Sequence, residues 1–129
     1  MGVIPANYVD LLERPLFGHL ATSRPDGTVQ VSPMWFDWDG ELLRFTHTRG
    51  RRRYRNIQHN PHVAMSVTDP KDPYRYLEVR GTVENIVADP EATFFAHLNR
   101  RYQAGQPDVP SDALDRVILV MRPTTVSMQ

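Results

Sequence analysis

Residues 62–87, HVAMSVTDPKDPYRYLEVRGTVENIV, contain two runs of alternating apolar and polar residues, joined by a short segment rich in Asp and Pro. In the first run, 62–68, every second residue is apolar, which is typical of a β-strand with one buried face. The segment 69–73 is predicted to be a loop, because Asp and Pro favour turns. The second run, 74–87, predicts a long strand, and Gly81 within it indicates a bulge or a bend.

Four further strands and three helices are predicted outside this stretch. Turn signals separate the first strands, PDG at 25–27 and DG at 39–40, and such short turns favour antiparallel hairpins. The other predicted strands are 16–24, 28–38, 41–48 and 115–128. The predicted helices are 7–14, the arginine-rich run as far as Gln58, and 89–103. Asp89 is the expected cap of the last helix. Six antiparallel strands that leave no exposed edge favour a small β-barrel.

The composition is that of an ordinary globular protein, with 40% hydrophobic and 23% charged residues in a chain of 129. A chain of this length is expected to form one domain, spanning 1–129, with a single core. It contains no cysteine, which excludes disulfides and thiolate metal sites. No run approaches the roughly 20 apolar residues of a membrane span, and no signal peptide is recognisable. We therefore expect a cytoplasmic protein without a membrane partner.

The sequence lacks the motifs of the common self-contained catalytic sites. It has no GxGxxG after a strand, no GxxxxGK(S/T) and no GxSxG. His59 and His62 flank Asn60 and Pro61 and are expected on different elements, so no metal site is predicted. If the protein is an enzyme, a cofactor is expected to carry the difficult chemical step.

An arginine-rich segment follows the predicted strand 41–48. Residues 49–55, RGRRRYR, contain five arginines, although the formal net charge of the whole chain is zero. A strand end that leads into a helix start presents free backbone N–H groups, and Thr46 and Thr48 can add hydroxyl donors. Arginine side chains bind phosphate oxygens through two hydrogen bonds at once. The segment is therefore a candidate phosphate site, and the alternative is a solvated basic helix face.

A second unusual segment is VSPMWF, residues 31–36. Pro33 has no N–H group, so it interrupts the hydrogen-bond ladder within a predicted strand and leaves a neighbouring carbonyl free. A planar heterocycle with amide edges could use such free backbone groups, and Trp35 could pack beside it. The alternative is that Pro33 marks a sheet edge and that Trp35 belongs to the core.

Residues 16–84 carry short motifs whose order and spacing resemble those of the flavin/deazaflavin oxidoreductase superfamily. The motifs are LAT, then DG, SPMWF, a Thr before an arginine-rich turn, RNI followed by NP, and YLEVRGTVE. This is the pyridoxamine 5'-phosphate oxidase-like split β-barrel group, and the match most resembles its branch that uses the deazaflavin coenzyme F420. The resemblance implies a mainly β fold with helices, a six-stranded antiparallel FMN-binding split barrel, and a homodimer with two cofactor sites at its interface.

The resemblance also implies which residues bind the cofactor. The end of the strand 41–48 and the arginine turn would hold its phosphate through six residues: Thr46, His47, Thr48, Arg51, Arg52 and Arg53. The tricyclic ring would lie against four residues, largely through their backbone groups: Ser32, Pro33, Met34 and Trp35. Arg53 falls where relatives commonly have lysine, which keeps the charge and changes the geometry. The remaining arginines could meet the acidic glutamate tail that distinguishes coenzyme F420 from FMN.

The implied reaction is hydride transfer from the reduced deazaflavin to a conjugated small-molecule acceptor, with no protein nucleophile. Coenzyme F420 is the expected cofactor and FMN is the alternative. The family does not share one substrate, so the acceptor and the proton donor stay open. Two other classes remain, a non-enzymatic carrier of a flavin or haem-like ligand and a nucleic-acid binder. The zero net charge, and the lack of a basic stripe beyond 49–55, disfavour nucleic acid.

Overall fold

The computed structural model describes residues 2–129 and consists of a curled antiparallel sheet with three helices. The strands are β1 (Gly18–Ser23), β2 (Val29–Met34), β3 (Phe36–Trp38), β4 (Leu43–Thr48), β5 (His62–Asp69), β6 (Asp72–Ala88) and β7 (Arg116–Met128). The helices are α1 (Asp10–Glu13), α2 (Arg52–His59) and α3 (Thr93–Arg101), and a 3-10 turn, Ala113–Asp115, precedes β7. The mainly β class predicted from the sequence is confirmed.

The strands form one sheet in the order β2-β1-β5-β6-β7-β4-β3, and every neighbouring pair is antiparallel. The two edge strands, β2 and β3, are consecutive in the chain and only Trp35 separates them. Because consecutive Cα atoms are roughly 4 Å apart, the end of one edge strand must lie beside the start of the other. The sheet therefore curls into a barrel whose two edges are joined by the chain itself, which is the split barrel that the resemblance implied.

The expected number of six strands is wrong, because the predicted strand 28–38 is two strands. β2 ends at Met34 and pairs with β1, whereas β3 begins at Phe36 and pairs with β4 at the other end of the strand order. Bulky apolar residues continue across the break, so the hydrophobic pattern does not mark it. The other predicted strands match β1, β4, β5, β6 and β7 to within a few residues.

A bulge interrupts the long pairing of β6 with β7 at Gly81, as predicted. The register shifts between Arg80 and Gly81, and again between Val83 and Asn85. A Cβ atom at Gly81 would overlap the carbonyl oxygen of Arg122 on β7. Only glycine therefore lets the two backbones approach so closely at this position.

Inward-facing side chains fill the barrel. Alternate residues of β5 and β6 are buried, as the alternation in the sequence predicted: Val63, Met65, Val67, Leu77, Val79 and Val83. Phe36 and Phe45 are cross-strand neighbours in the β3–β4 pair, with ring centroids 6.3 Å apart. Leu11 and Leu12 of α1 and Ile57 of α2 belong to the same core, so apolar side chains anchor both helices to the barrel.

The helices are shorter than predicted. α1 begins only at Asp10, and α3 begins at Thr93 rather than at residue 89. The Asp89 carboxylate nevertheless accepts hydrogen bonds from the backbone N–H groups of the first three residues of α3. Asp89 thus satisfies N–H groups that the helix start leaves without partners, as a capping residue does. The longest described helix has nine residues, and none in 2–129 is long and apolar enough to cross a membrane.

Candidate cofactor-binding site

A cavity of ≈ 290 Å³ lies where β4 ends and α2 begins, with the break between β2 and β3 on its other side. Eight of the ten residues that the resemblance assigned to cofactor binding line it: Pro33, Met34, Trp35, Thr46, His47, Thr48, Arg51 and Arg53. The fold brings the two segments together because β3 directly follows Trp35 and pairs with β4. Three further residues complete the lining: Phe17, Phe95 and Arg116.

Two of the predicted residues, Ser32 and Arg52, do not line this cavity. Ser32 lies on β2, and its buried hydroxyl has no hydrogen-bond partner among residues 2–129. Arg52 is the first residue of α2 and is exposed to solvent. Neither side chain therefore belongs to the residues that the fold brings together around the cavity.

His47 lies on the cavity wall and is surrounded by positive charge. Its side chain is buried, and its Nε2 atom has no hydrogen-bond partner within the described part of the chain. Burial, followed by the charges of three arginines, lowers the pKa of His47 from 6.5 to about 3. These arginines are Arg53, Arg51 and Arg116. The imidazole is therefore neutral at pH 7 and offers the cavity a hydrogen-bonding group without a charge.

The arginines of 49–55 have no carboxylate partners. Within residues 2–129 none of the five forms an ion pair, whereas six other arginines do. Arg53 is half-buried and its Nε has no hydrogen-bond partner in this range; burial, and to a smaller extent Arg51, lowers its pKa. Removing a cation from water without a counter-charge is unfavourable. A bound anion would offset this cost at Arg53, whereas the other four arginines of the segment are exposed to solvent.

Arg116, which the sequence did not reveal, brings a third guanidinium group to the cavity. The pairing of β4 with β7 places Thr48 opposite Arg116. The guanidinium donates hydrogen bonds to the Asp112 carboxylate and the Thr46 hydroxyl, and it lies 4.6 Å from the centroid of the Phe95 ring. Local sequence gives little sign of this role, because the residue reaches the site only through the pairing of two distant strands. We call Arg51, Arg53 and Arg116 the cationic wall.

Aromatic side chains form another part of the lining. Trp35 stacks on Tyr102, with centroids 5.5 Å apart and an angle of 13° between the planes, and its ring also lies 5.8 Å from Phe95. The Phe17 ring lies 5.8 Å from that of Tyr102 and is 55% exposed. We call Phe17, Trp35 and Phe95 the aromatic wall. A cavity with both walls suits a ligand that combines a planar ring with an anionic group.

The structure gives the positions of Pro33 and Trp35, on which both interpretations of the segment 31–36 depend. Pro33 lies on the edge strand β2, opposite His19 of β1, so the sheet-edge interpretation is confirmed. β2 continues for one residue beyond Pro33 and ends at Met34. Trp35 is half-buried and packs on a small cluster beside α3, outside the main core of the barrel. Trp35 therefore packs at the margin of this smaller buried cluster and not in the main core.

Histidine and carboxylate side chains are otherwise scattered over the fold. Among residues 2–129, no group of three or more His, Asp and Glu side chains is placed to hold a metal ion. His59 ends α2 and His62 begins β5, so these two histidines lie on different elements, as expected.

The neutral, buried His47 predicts that the protein loses stability in mild acid. Since the unfolded chain binds a proton at His47 with an ordinary pKa near 6.5 and the folded protein only near pH 3, stability falls as the pH falls through this window. We expect this residue alone to lower the free energy of unfolding by about 2 kcal/mol between pH 7 and pH 5. Urea denaturation at a series of pH values measures the loss.

The control for this prediction is His47→Gln, which keeps a polar side chain that does not titrate. The variant should show a shallower pH dependence between pH 7 and pH 5, whatever its absolute stability. Equal slopes for the variant and the natural protein would mean that His47 is not the group responsible.

Some known proteins resemble the chain in both sequence and fold, and others resemble it in fold alone. The family model for pyridoxamine 5'-phosphate oxidase matches residues 4–129. A solved structure named as an F420 reductase is 63% identical, with a TM-score of 0.95, and the match covers 98% of this chain and 100% of that one. None of the curated proteins matches the chain.

More distant structures share the fold alone. The General Stress Protein 26 from Bacillus anthracis is 21% identical with a TM-score of 0.70, over 93% of this chain and 88% of that one. The hypothetical protein Rv2991 from Mycobacterium tuberculosis is 22% identical with a TM-score of 0.72, over 97% and 83% of the two chains. Because the family model matches residues 4–129 and the chain folds as a split barrel, the chain belongs to the pyridoxamine 5'-phosphate oxidase family, and the resemblance first seen in its motifs is confirmed.

Proposed function

We propose that the protein is an oxidoreductase that binds coenzyme F420 and passes hydride from the reduced deazaflavin to a conjugated small-molecule acceptor. The observation that carries the proposal is one cavity in which the unpaired Arg51 and Arg53 lie close to an aromatic wall. Its family is named for an oxidase, and the relative at 63% identity is named as an F420 reductase. Both support redox chemistry with a ring-shaped cofactor.

The cationic wall is the proposed phosphate site. Arg51 and Arg53 supply guanidinium groups without counter-charges, and the hydroxyls of Thr46 and Thr48 line the same cavity. Hydrogen bonds from a cation to a phosphate oxygen contribute roughly 1.5–3 kcal/mol each, so two or three of them hold one phosphate firmly. The free Nε of Arg53 and the free Nε2 of His47 are buried polar atoms that a ligand at this place could satisfy.

The number of arginines favours coenzyme F420 over FMN. Arg49, Arg52 and Arg55 are exposed, have no ion pair within residues 2–129, and lie outside the cavity. One phosphate carries at most two negative charges, which the cationic wall can neutralise. The glutamate tail of coenzyme F420 adds carboxylates that FMN lacks. Arg49, Arg52 and Arg55 are the unpaired cations that lie closest in the sequence to the arginines of the phosphate site. We therefore place the tail along the outer side of the segment 49–55.

The chain's own residues have a limited chemical role in this proposal. The cofactor, when bound, supplies the hydride. The cationic wall holds its anionic group, and Trp35 and Phe95 of the aromatic wall pack against its planar ring and keep water from it. In the cofactor-free protein His47 is unprotonated at pH 7, because burial and the neighbouring arginines lower its pKa to about 3. We propose that water supplies the accompanying proton.

We further propose that two copies of the chain associate. On the edge strand β2, Val29 and Val31 are 70% and 62% exposed and share the outer face with Pro33. Alternate residues of a strand face the same side, so these three form one apolar stripe that ends at the cavity. A monomer in sedimentation experiments at working concentrations would overturn this part of the proposal. The proposed function includes no binding to a nucleic acid and no attachment to a membrane.

Titration of the cofactor-free protein tests the choice of cofactor. Binding of coenzyme F420 is followed by intrinsic tryptophan fluorescence and compared with FMN and with a deazaflavin that lacks the phosphate and the tail. We expect an affinity for coenzyme F420 at least about tenfold higher than for FMN, and higher with a longer tail. Tighter binding of FMN would overturn the choice of coenzyme F420 as the cofactor. Equal affinities for all tail lengths would show that the tail does not contact the exposed arginines.

A second arm of the same experiment tests for turnover. Protein loaded with reduced coenzyme F420 is mixed with a panel of quinones and enones, and the return of the oxidised absorption band is recorded. We expect oxidation by at least one acceptor. Inertness toward the whole panel would favour a non-enzymatic carrier of the cofactor.

A further inference from the structure

Phe17 is an aromatic side chain that the fold leaves exposed on the cavity wall. It precedes β1 directly, lines the cavity, and keeps 55% of its surface accessible to solvent. Exposing a large apolar ring forgoes the free energy that its burial would contribute, about 25 cal/mol per Å². A ring left open beside a cavity is therefore a candidate ligand contact.

The backbone around Phe17 is held in place by Tyr102, which directly follows α3. The hydroxyl of Tyr102 donates a hydrogen bond of 2.6 Å to the carbonyl of Leu16 and accepts one of 3.0 Å from the N–H of Phe36. Its ring lies beside both Phe17 and Trp35. Tyr102 thus ties the residue before Phe17 to the residue after Trp35, so two of the three members of the aromatic wall are positioned by one side chain.

Arg101 reinforces the same connection. Its guanidinium donates hydrogen bonds to the carbonyl of Phe36 at 3.0 Å and to the carbonyl of Arg14 at 2.9 Å. Two neighbouring residues at the end of α3 therefore fix the segment that leads to Phe17 against the start of β3. A ring on a restrained backbone loses little conformational entropy when it packs against a ligand.

We propose that Phe17 is the contact residue for the electron acceptor, and that its exposed face selects a flat, conjugated, apolar molecule. The inference rests on the proposed function, since it takes the cationic wall as the place of the cofactor's anionic group. Phe17 carries no charge and makes no hydrogen bond through its side chain, so it can recognise an acceptor only by shape and ring stacking. Tyr102 is the positioning residue of this subsite.

The probe for the subsite is menadione, a flat quinone without charge. In the reaction the quinone gains a hydride from the reduced cofactor and a proton from water, and it leaves as the hydroquinone. Binding is measured without turnover, by calorimetric titration of menadione into protein saturated with oxidised coenzyme F420. We expect Phe17→Ala to raise the Kd for menadione about tenfold and to leave the Kd for coenzyme F420 unchanged.

Two further variants make the test specific. Phe17→Tyr keeps an aromatic ring and should bind menadione as the natural protein does. Leu114→Ala removes an apolar side chain that is 79% exposed outside the cavity, and it should change neither Kd.

The positioning role of Tyr102 has its own variant. Tyr102→Phe keeps the ring and loses both hydrogen bonds of the hydroxyl. It should raise KM for menadione about threefold and KM for coenzyme F420 by a smaller factor, because Tyr102 also stacks on Trp35. An equal rise in both KM values would mean that Tyr102 has only a general structural role.

Failure of this inference is distinguishable from failure of the proposed function. If the natural protein does not bind coenzyme F420, the proposed function fails first. If it binds the cofactor and menadione, but Phe17→Ala leaves the Kd for menadione unchanged, the acceptor contact at Phe17 is wrong while the function stands. If Phe17→Ala instead turns a dimer into a monomer in sedimentation, Phe17 is an interface residue and the inference is overturned as well.

Discussion

Gly81→Ala is expected to lower the free energy of unfolding by at least about 3 kcal/mol, the upper part of the range for overpacked sites. The methyl group would overlap the carbonyl oxygen of Arg122, and neither atom can move without its strand because both belong to backbone-paired β6 and β7. The two strands would have to separate at the bulge and lose ladder hydrogen bonds. The melting temperature should fall by roughly 10 °C, measurable by calorimetry or circular dichroism.

Gly50→Ala is the matched control for this variant. Nothing lies within 4 Å of a Cβ atom placed there, and the backbone of Gly50 does not adopt a positive φ angle. Replacing such a glycine reduces the freedom of the unfolded chain, so we expect a change of less than about 1 kcal/mol in the stabilising direction. Similar stabilities for the two variants would contradict the close approach of β6 and β7 at the bulge.

The parts of the fold that could be predicted depend on local patterns. The alternation in 62–87 predicts β5 and β6 because side chains of a strand point alternately to the two faces, whatever the partner strands are. Gly81 indicated the bulge because glycine weakens a regular strand and is common where two backbones approach closely. The break at Trp35 could not be predicted, since the apolar residues run through it and only the choice of partner strands separates β2 from β3.

The residues of the site likewise divide into those that local sequence patterns reveal and those that only the fold brings to the cavity. Eight cavity residues within 33–35 and 46–53 could be named because each segment is continuous in the sequence and matches a motif. Arg116 and Phe17 were missed because they reach the cavity through long-range structure: the first through the pairing of β4 with β7, the second through the hydrogen bonds of Tyr102. Arg52 was included because it sits within the motif, although the first turn of α2 leaves it exposed outside the cavity.

The largest effect on ligand binding is expected from Arg53, whose charge the folded protein does not neutralise. In an ordinary ion pair, removing the arginine strands a carboxylate and destabilises the protein. Arg53 has no such partner within residues 2–129, and burial lowers its pKa, so its charge is a cost to the cofactor-free protein. The same charge should contribute strongly once an anion is bound. Stability without the cofactor and affinity for it therefore change in opposite directions at this residue.

Arg53→Met keeps much of the length of the side chain and removes its charge. We expect the affinity for coenzyme F420 to fall by about 10- to 100-fold, the equivalent of one charge-assisted hydrogen bond to phosphate. We expect the cofactor-free variant to be more stable than the natural protein by about 1 kcal/mol in urea denaturation, since a half-buried unpaired cation is gone. Arg100→Met, an exposed position on α3 outside the cavity, is the control and should change neither quantity by much. Unchanged affinity would remove Arg53 from the phosphate site, and a loss of stability would show that the folded chain already supplies its counter-charge.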